Sequence, residues 1–218
     1  MKMVIGLHII VMIAPIEEIV NLKEVLIMST RGLYGIRKNG IDKCTYNHCD
    51  SYPSGLGFDI VKFCANNSVE NLKKFFDNIE LVFEDSVPTE SQIKECQKAG
   101  YVNFSVSSQS NDDWYCLLRN LQGNFAEYQK CIDKGSKVYM TDGIDFIKDS
   151  LFCEYAYIIN LDDEVLEFYV GFQNTPYTNN RYGTSEIHGY YPCKLSLTIP
   201  LNELDDVERI VKMMEEEE

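Results

Sequence analysis

The sequence predicts an α+β fold: a single domain with a largely antiparallel sheet and helices packed on it. Two hairpin signals, Asn39-Gly40 and Asp162-Asp163, each lie between β-forming runs. Helical periodicity falls between and after those hairpins without regular βαβ alternation, which argues against a wholly parallel sheet. With 218 residues, 45% of them hydrophobic, the chain suffices for one sizeable core.

The domain is expected over 28–218, with 1–27 as a leader outside it. The apolar run Met3 to Ile13 has the look of a signal-peptide core, but Pro15, Glu17 and Glu18 follow with no small-residue cleavage pattern, so export is the weaker reading. Lys23-Glu24-Val25 can be encoded by a bacterial ribosome-binding sequence just ahead of Met28, which makes Met28 the expected natural start.

From Thr30 two strands are joined at Asn39-Gly40, residues that both tolerate positive φ. A two-residue turn there places Arg37 opposite Asp42, Tyr34 opposite Thr45 and Arg31 opposite His48, and the first of these is an opposite-charge pair that supports the register. Asp50 to Gly55 is turn-rich. A helix from about Leu56 carries Leu56, Ile60, Phe63 and Cys64 on one face, and Ser68 caps a second that carries Leu72, Phe75 and Phe76. Ile79 to Phe83 suits a strand. Thr89 with Gln92 forms a capping box for a helix ending near Gly100, and Trp114, Leu117, Leu118 and Leu121 line another.

The second hairpin runs from Cys153 to Phe172 and gathers Tyr155, Tyr157, Ile159, Leu166, Phe168 and Val170 on one face. Residues 173–191 form a polar, Tyr-rich connection longer than most loops in a compact domain, a length that marks either a functional or a loosely ordered segment. Lys194 to Ile199 returns as a strand, and a last helix from about Leu201 buries Leu204, Val207, Ile210, Val211 and Met214. No internal repeat is present.

Composition excludes several function classes. There are 34 acidic against 20 basic residues, a net charge of −14, so the phosphate-neutralising field of a nucleic-acid binder is missing and an anionic membrane would be repelled. An acidic face can attract a basic protein surface or mimic a phosphate backbone, but excess acid more often just keeps a protein soluble. No apolar run approaches the ~20 residues of a membrane-spanning helix. The eight cysteines follow neither a disulfide framework nor a zinc-site spacing and read as reduced, mostly buried thiols of a cytoplasmic protein. Dinucleotide-binding, phosphate-loop, zinc-protease and nucleophile-elbow motifs are absent, so no cofactor and no metal is expected.

One constellation has the residue types of a catalytic site. The hairpin register brings Ser29, Arg31, His48 and Asp50 to one face at its open end, and an imidazole beside a carboxylate and a hydroxyl is the material of nucleophilic or general-base chemistry. The alternative is structural: Arg31 pairs with Asp50, and His48 bonds to backbone. Removal of Met28 would leave Ser29 with a free α-amine able to activate its own hydroxyl, as in N-terminal nucleophile hydrolases.

At these residues, Met28 to Gly32 and Tyr46 to Gly57, the chain resembles a group of uncharacterised bacterial and phage proteins. They open Met-Ser-Thr-Arg-Gly and continue Tyr-Asn-His-x-Asp-Ser-Tyr-Pro-x-Gly-Leu-Gly. The resemblance implies a bacterial or phage source and a start at Met28, and transfers no catalytic residue. The expectation is therefore a phage- or mobile-element-type protein of the host cytoplasm that binds a protein partner, such as a host defence component. It would do so through the 29–55 surface, with Asn47 and Tyr52, and the 173–191 loop, with Arg181 and His188. The competing expectation is an amide-bond hydrolase of the N-terminal nucleophile type using Ser29.

Overall fold

A computed structural model describes residues 30–102 and 110–217. Residues 1–29, on which the expected leader 1–27, the expected start Met28 and the candidate nucleophile Ser29 fall, lie outside the described residues. Strands β1 (Gly32–Lys38) and β2 (Ile41–Asn47) form the first hairpin in the expected register, with Tyr34 opposite Thr45 and Arg37 opposite Asp42. Asn39 and Gly40 both take positive φ, 54° and 75°, the pair a tight hairpin turn requires.

β5 (Tyr155–Asn160) and β6 (Val165–Val170) form the second hairpin, and β7 (Lys194–Pro200) pairs with β6. The five strands lie in the order β2-β1-β5-β6-β7. All neighbours are antiparallel except β1 and β5, whose parallel pairing needs a long crossover. That crossover contains most of the helices and a small parallel pair, β3 (Ile79–Val82) with β4 (Val138–Thr141).

The helices are α1 (Phe58–Ala65), α2 (Val69–Asn78), α3 (Glu90–Ala99), α4 (Trp114–Leu117), α5 (Phe125–Lys134) and α6 (Val207–Glu215). Ser68 caps α2 through Asn71 N–H, and the Thr89–Gln92 capping box opens α3, which Gly100 ends at φ 84°. The structure departs from expectation in three places. Neither α5 nor β4 was foreseen, although Phe125, Tyr128 and Cys131 share one helical face and Gly135 follows as a left-handed cap. The helix expected through Leu121 stops at Leu117 because the chain turns to deliver the Leu121 carbonyl and Gly123 N–H to the Tyr34 hydroxyl, at 3.3 and 2.9 Å. The last helix begins at Val207 rather than Leu201, since Asp206 accepts from Arg209 N–H and so caps it there.

The two faces of the sheet are covered differently. On one, Tyr34, Ile36, Tyr157, Ile159, Leu166 and Phe168 pack against α1, α2, α5 and α6 in the larger core. On the other, Leu33, Cys44, Ala156, Ile158 and Tyr169 are covered by Ile147, Cys153 and Cys193, which come from connecting segments. Each large apolar side chain removed from water in this way contributes about 1.5 to 3 kcal/mol. Seven of the eight cysteines are buried and all eight are free, Cys49 being exposed. Among the described residues no helix is long and apolar enough to cross a membrane.

Candidate functional site

The row Asn47, Gly32, Tyr155, Val170 and Lys194 runs across all five strands and marks one end of the sheet. The 48–57 loop, the 142–154 segment and the 171–193 connection all meet the sheet at this end, so topology gathers there the two segments expected to carry function.

The 48–57 loop is anchored from below. Asn47 Nδ2 donates to the Cys49 carbonyl at 2.5 Å and to Ser51 Oγ at 2.8 Å. Ser51 N–H donates to the Thr30 carbonyl, Tyr157 Oη to the Ser51 carbonyl, and Leu56 N–H to the Asp50 carbonyl. Gly32 is needed here because a Cβ would lie 2.6 Å from that of Ser51. The loop presents Cys49, Asp50, Tyr52 and Ser54 around an open polar depression of about 400 Å³. Partial burial and the adjacent Asp50 carboxylate push the Cys49 thiol up, which withholds the thiolate a nucleophile needs.

The β1–β2 pairing ends at Gly32 opposite Asn47, with Arg31 and His48 the next residues beyond it, and none of the ion pairs among the described residues joins Arg31 to Asp50. The Arg31 guanidinium lies over the Phe152 ring, 4.6 Å from the centroid, and the Arg31 backbone N–H donates to Glu154 Oε1 at 3.1 Å. His48 Nδ1 lies 3.1 Å from Tyr46 Oη. Phe152 also meets the His188 ring, at a separation of 5.8 Å, and His188 Nδ1 meets Asp149 Oδ2 at 3.1 Å. A chain of contacts, Arg31–Phe152–His188–Asp149, therefore joins the start of β1 to the 171–193 connection. Arg31 Nε and Asp149 Oδ1 are buried without a protein hydrogen bond. Asp149, Phe152 and Glu154 escaped sequence reasoning, and no local pattern marks them, since Phe152 and Glu154 reach Arg31 from more than a hundred positions away and Asp149 meets His188 from 39.

Asp50, Phe172 and His188, at this end, all have φ between 53° and 55°. Asp and His enter the left-handed region more readily than most residues, but for Phe172 it is costly, and such backbone concentrates where the surroundings over-determine the chain. Phe172 is also 50% exposed.

The remaining expected binding residues have other duties. Asn47 is buried and holds the loop. Arg181 faces β6, where Glu167 is only 3% exposed. Its Nη1 donates to Glu167 Oε1 at 2.9 Å and its Nη2 bonds Oε2, while Asn160 Nδ2 and Tyr169 Oη also donate to that carboxylate at 2.8 and 2.9 Å. Burial works against the charge on Arg181, but the bonds to Glu167 and Tyr182 and the neighbouring Tyr182 and Tyr169 hydroxyls together outweigh it and raise the guanidinium above its ordinary value. Arg181 thus closes the connection onto the sheet. Among the described residues no group of three or more His, Cys, Asp or Glu side chains gathers as a metal site requires. No protein-family model, curated protein or solved structure matches the chain.

Proposed function

We propose that this chain is a cytoplasmic protein that acts by binding a protein partner through the end of the sheet where the 48–57 loop and the 171–193 connection emerge. The observation that carries the reading is the contact chain from Arg31 through Phe152 to His188. It joins the start of β1 to the 171–193 connection, at the end of the sheet whose loops also carry the exposed Tyr52 and Phe172 and the left-handed Asp50, Phe172 and His188. Exposed aromatic side chains on a pre-ordered backbone are the anchors that protein interfaces use. The resemblance at Met28 to Gly32 and Tyr46 to Gly57 extends the proposal to a phage or mobile-element protein whose partner is a host factor, such as a component of a defence system.

The test is affinity purification from the natural host with wild type and with a Tyr52→Ala/His188→Ala variant. A specific partner retained by wild type and lost by the folded variant supports the reading; equal retention by both removes it.

The second reading, an N-terminal nucleophile hydrolase, is favoured by the position of Thr30, whose carbonyl binds Ser51 N–H beside Cys49 and Asp50. It requires Ser29 to be essential. Full activity of Ser29→Ala, or of a chain with one extra residue before Ser29, ends it.

A further inference from the structure

α1 lies between α5 and α6, and its exposed side stands as a ridge between two valleys. The valley toward α5, about 380 Å³, has Phe63 and Phe125 as its floor and Asp59, Asn124 and Gln129 on its rim. The valley toward α6, about 720 Å³, is lined by Phe58, Ala65 and Val207 and by the carboxylates of Asp205, Asp206 and Glu208. Both adjoin the depression beneath the 48–57 loop, the first sharing Asp59 with it and the second Phe58. Together they form a trough around the N-terminal part of α1.

Its charge is one-sided. Asp50, Asp59, Asp205, Asp206 and Glu208 line it against one cation, Lys62, a far larger acidic excess than the 34 to 20 of the whole chain. None of the ion pairs among the described residues includes any of these five. Lys62 itself lies 5.7 Å from the centroid of the Phe58 ring. Asp206 also caps α6, and Asp59 and Glu208 stand in the first turns of α1 and α6. Unpaired carboxylates beside apolar and aromatic surface suit Lys and Arg side chains, whose stems cover apolar area while their heads meet carboxylates or ring faces. The same charge repels nucleic acid, anionic lipid and a second copy of the trough.

We propose that the trough around α1 docks a basic segment of the protein partner, its Lys or Arg side chains lying over Phe58, Phe63 and Phe125 with their charged heads at Asp59, Asp205 and Glu208. The proposal rests on the partner-binding reading and supplies the chemistry of the partner.

The probe is a fluorescein-labelled peptide alternating Arg and Leu, with a Glu and Leu peptide as its counterpart, titrated against the full chain by fluorescence anisotropy. A trough variant, Asp59→Lys/Asp205→Lys/Glu208→Lys, is compared with a remote variant, Glu84→Lys/Asp85→Lys/Glu90→Lys, which changes net charge equally. Both are checked for folding by circular dichroism and thermal melting. Wild type is expected to bind the basic peptide alone, the trough variant to bind it roughly tenfold or more weakly, and the remote variant to stay within about threefold of wild type. Lys62→Glu should tighten binding and serves as the readout if the trough variant does not fold. Equal weakening by the two charge-reversed variants, weaker binding by Lys62→Glu, or no binding by wild type overturns the proposal. The partner-binding reading fails separately, if Tyr52→Ala/His188→Ala leaves partner capture from the host unchanged. A trough variant that still captures that partner at full strength overturns the docking proposal and leaves the reading standing.

Discussion

The two faces of the sheet solve the same burial problem with different chemistry. Toward the helices, Tyr157, Phe168, Ile159 and Leu166 meet Ile60, Leu72, Phe75 and Phe125, and almost all the contact is apolar. On the opposite face the cover is made by connections, which have few large apolar residues to offer. There the sheet carries Arg37, Asp42, Asn160 and Glu167 among its apolar side chains, and Arg181 from the 171–193 connection closes onto Glu167. Helices with an apolar stripe can cover a sheet by hydrophobic contact alone, whereas an irregular polar segment has to be fastened by specific hydrogen bonds and charge pairs. The fastened face is also the one from which the His188 side of the candidate site emerges.

The contrast predicts different responses to mutation. Phe168→Ala, on the helix face, should cost about 3 to 5 kcal/mol, read from the urea unfolding midpoint, and no polar second-site change should restore it. Arg181→Ala, on the other face, should cost about 3 kcal/mol because it strands the buried Glu167 carboxylate. Adding Glu167→Gln should recover most of that loss, since the charge is then gone. If the double variant is no more stable than Arg181→Ala, the outer face is not held by this pair and the contrast fails.

Gly123→Ala tests the junction of the helix layer with the 48–57 loop. Gly123 has φ 64°, and an added Cβ would lie 2.7 Å from Asn47 Oδ1. The left-handed backbone alone should cost about 1 to 2 kcal/mol. Strain against Asn47 should also increase hydrogen exchange at Cys49 and Ser51, and unchanged protection there would show that the loop does not depend on this packing.

The smallest effect is a pH dependence at the hairpin turns. Asp162 accepts from the backbone N–H groups of Gly40 and Asn39 and lies 3.6 Å from Arg37 Nε. The Gly40 bond, then the Asn39 bond and the Arg37 charge, hold its carboxyl below the usual value against a smaller opposing effect of burial. A carboxyl depressed in the folded state contributes stability that is fully present above its unfolded pKa, near 4, and is lost as pH falls through the folded value. Thermal unfolding of wild type should therefore fall more steeply below about pH 4 than that of Asp162→Asn. Parallel acid profiles would show that the turns are not joined through this carboxylate.

Much of the fold was legible because its signals are local. Asn39-Gly40 sets both the turn and the register of β1 with β2, and the alternation of Tyr155, Tyr157 and Ile159 against Leu166, Phe168 and Val170 identifies the inward face of the second hairpin. The caps Ser68 and Thr89 were equally readable. α5 had a readable pattern that went unused. β4 did not, being four residues long and defined by its pairing with β3. The parallel contact of β1 with β5 has no local signature, since it depends on what the intervening chain folds into.

The candidate site divides along the same line. By itself the sequence determined which residues flank the hairpin opening, because register propagates from a two-residue turn, and it marked 173–191 as an unusually long connection. Only the tertiary structure decided their partners. Arg31 bonds to Glu154, 123 positions away, and lies over Phe152 instead of pairing with Asp50. Arg181, expected to meet a partner, is committed to Glu167, and His188 is joined to Asp149. The physical reason is range: turn chemistry, capping and periodicity act over a few residues, whereas an ion pair or a ring contact forms wherever the finished packing brings two groups together and removes water from between them.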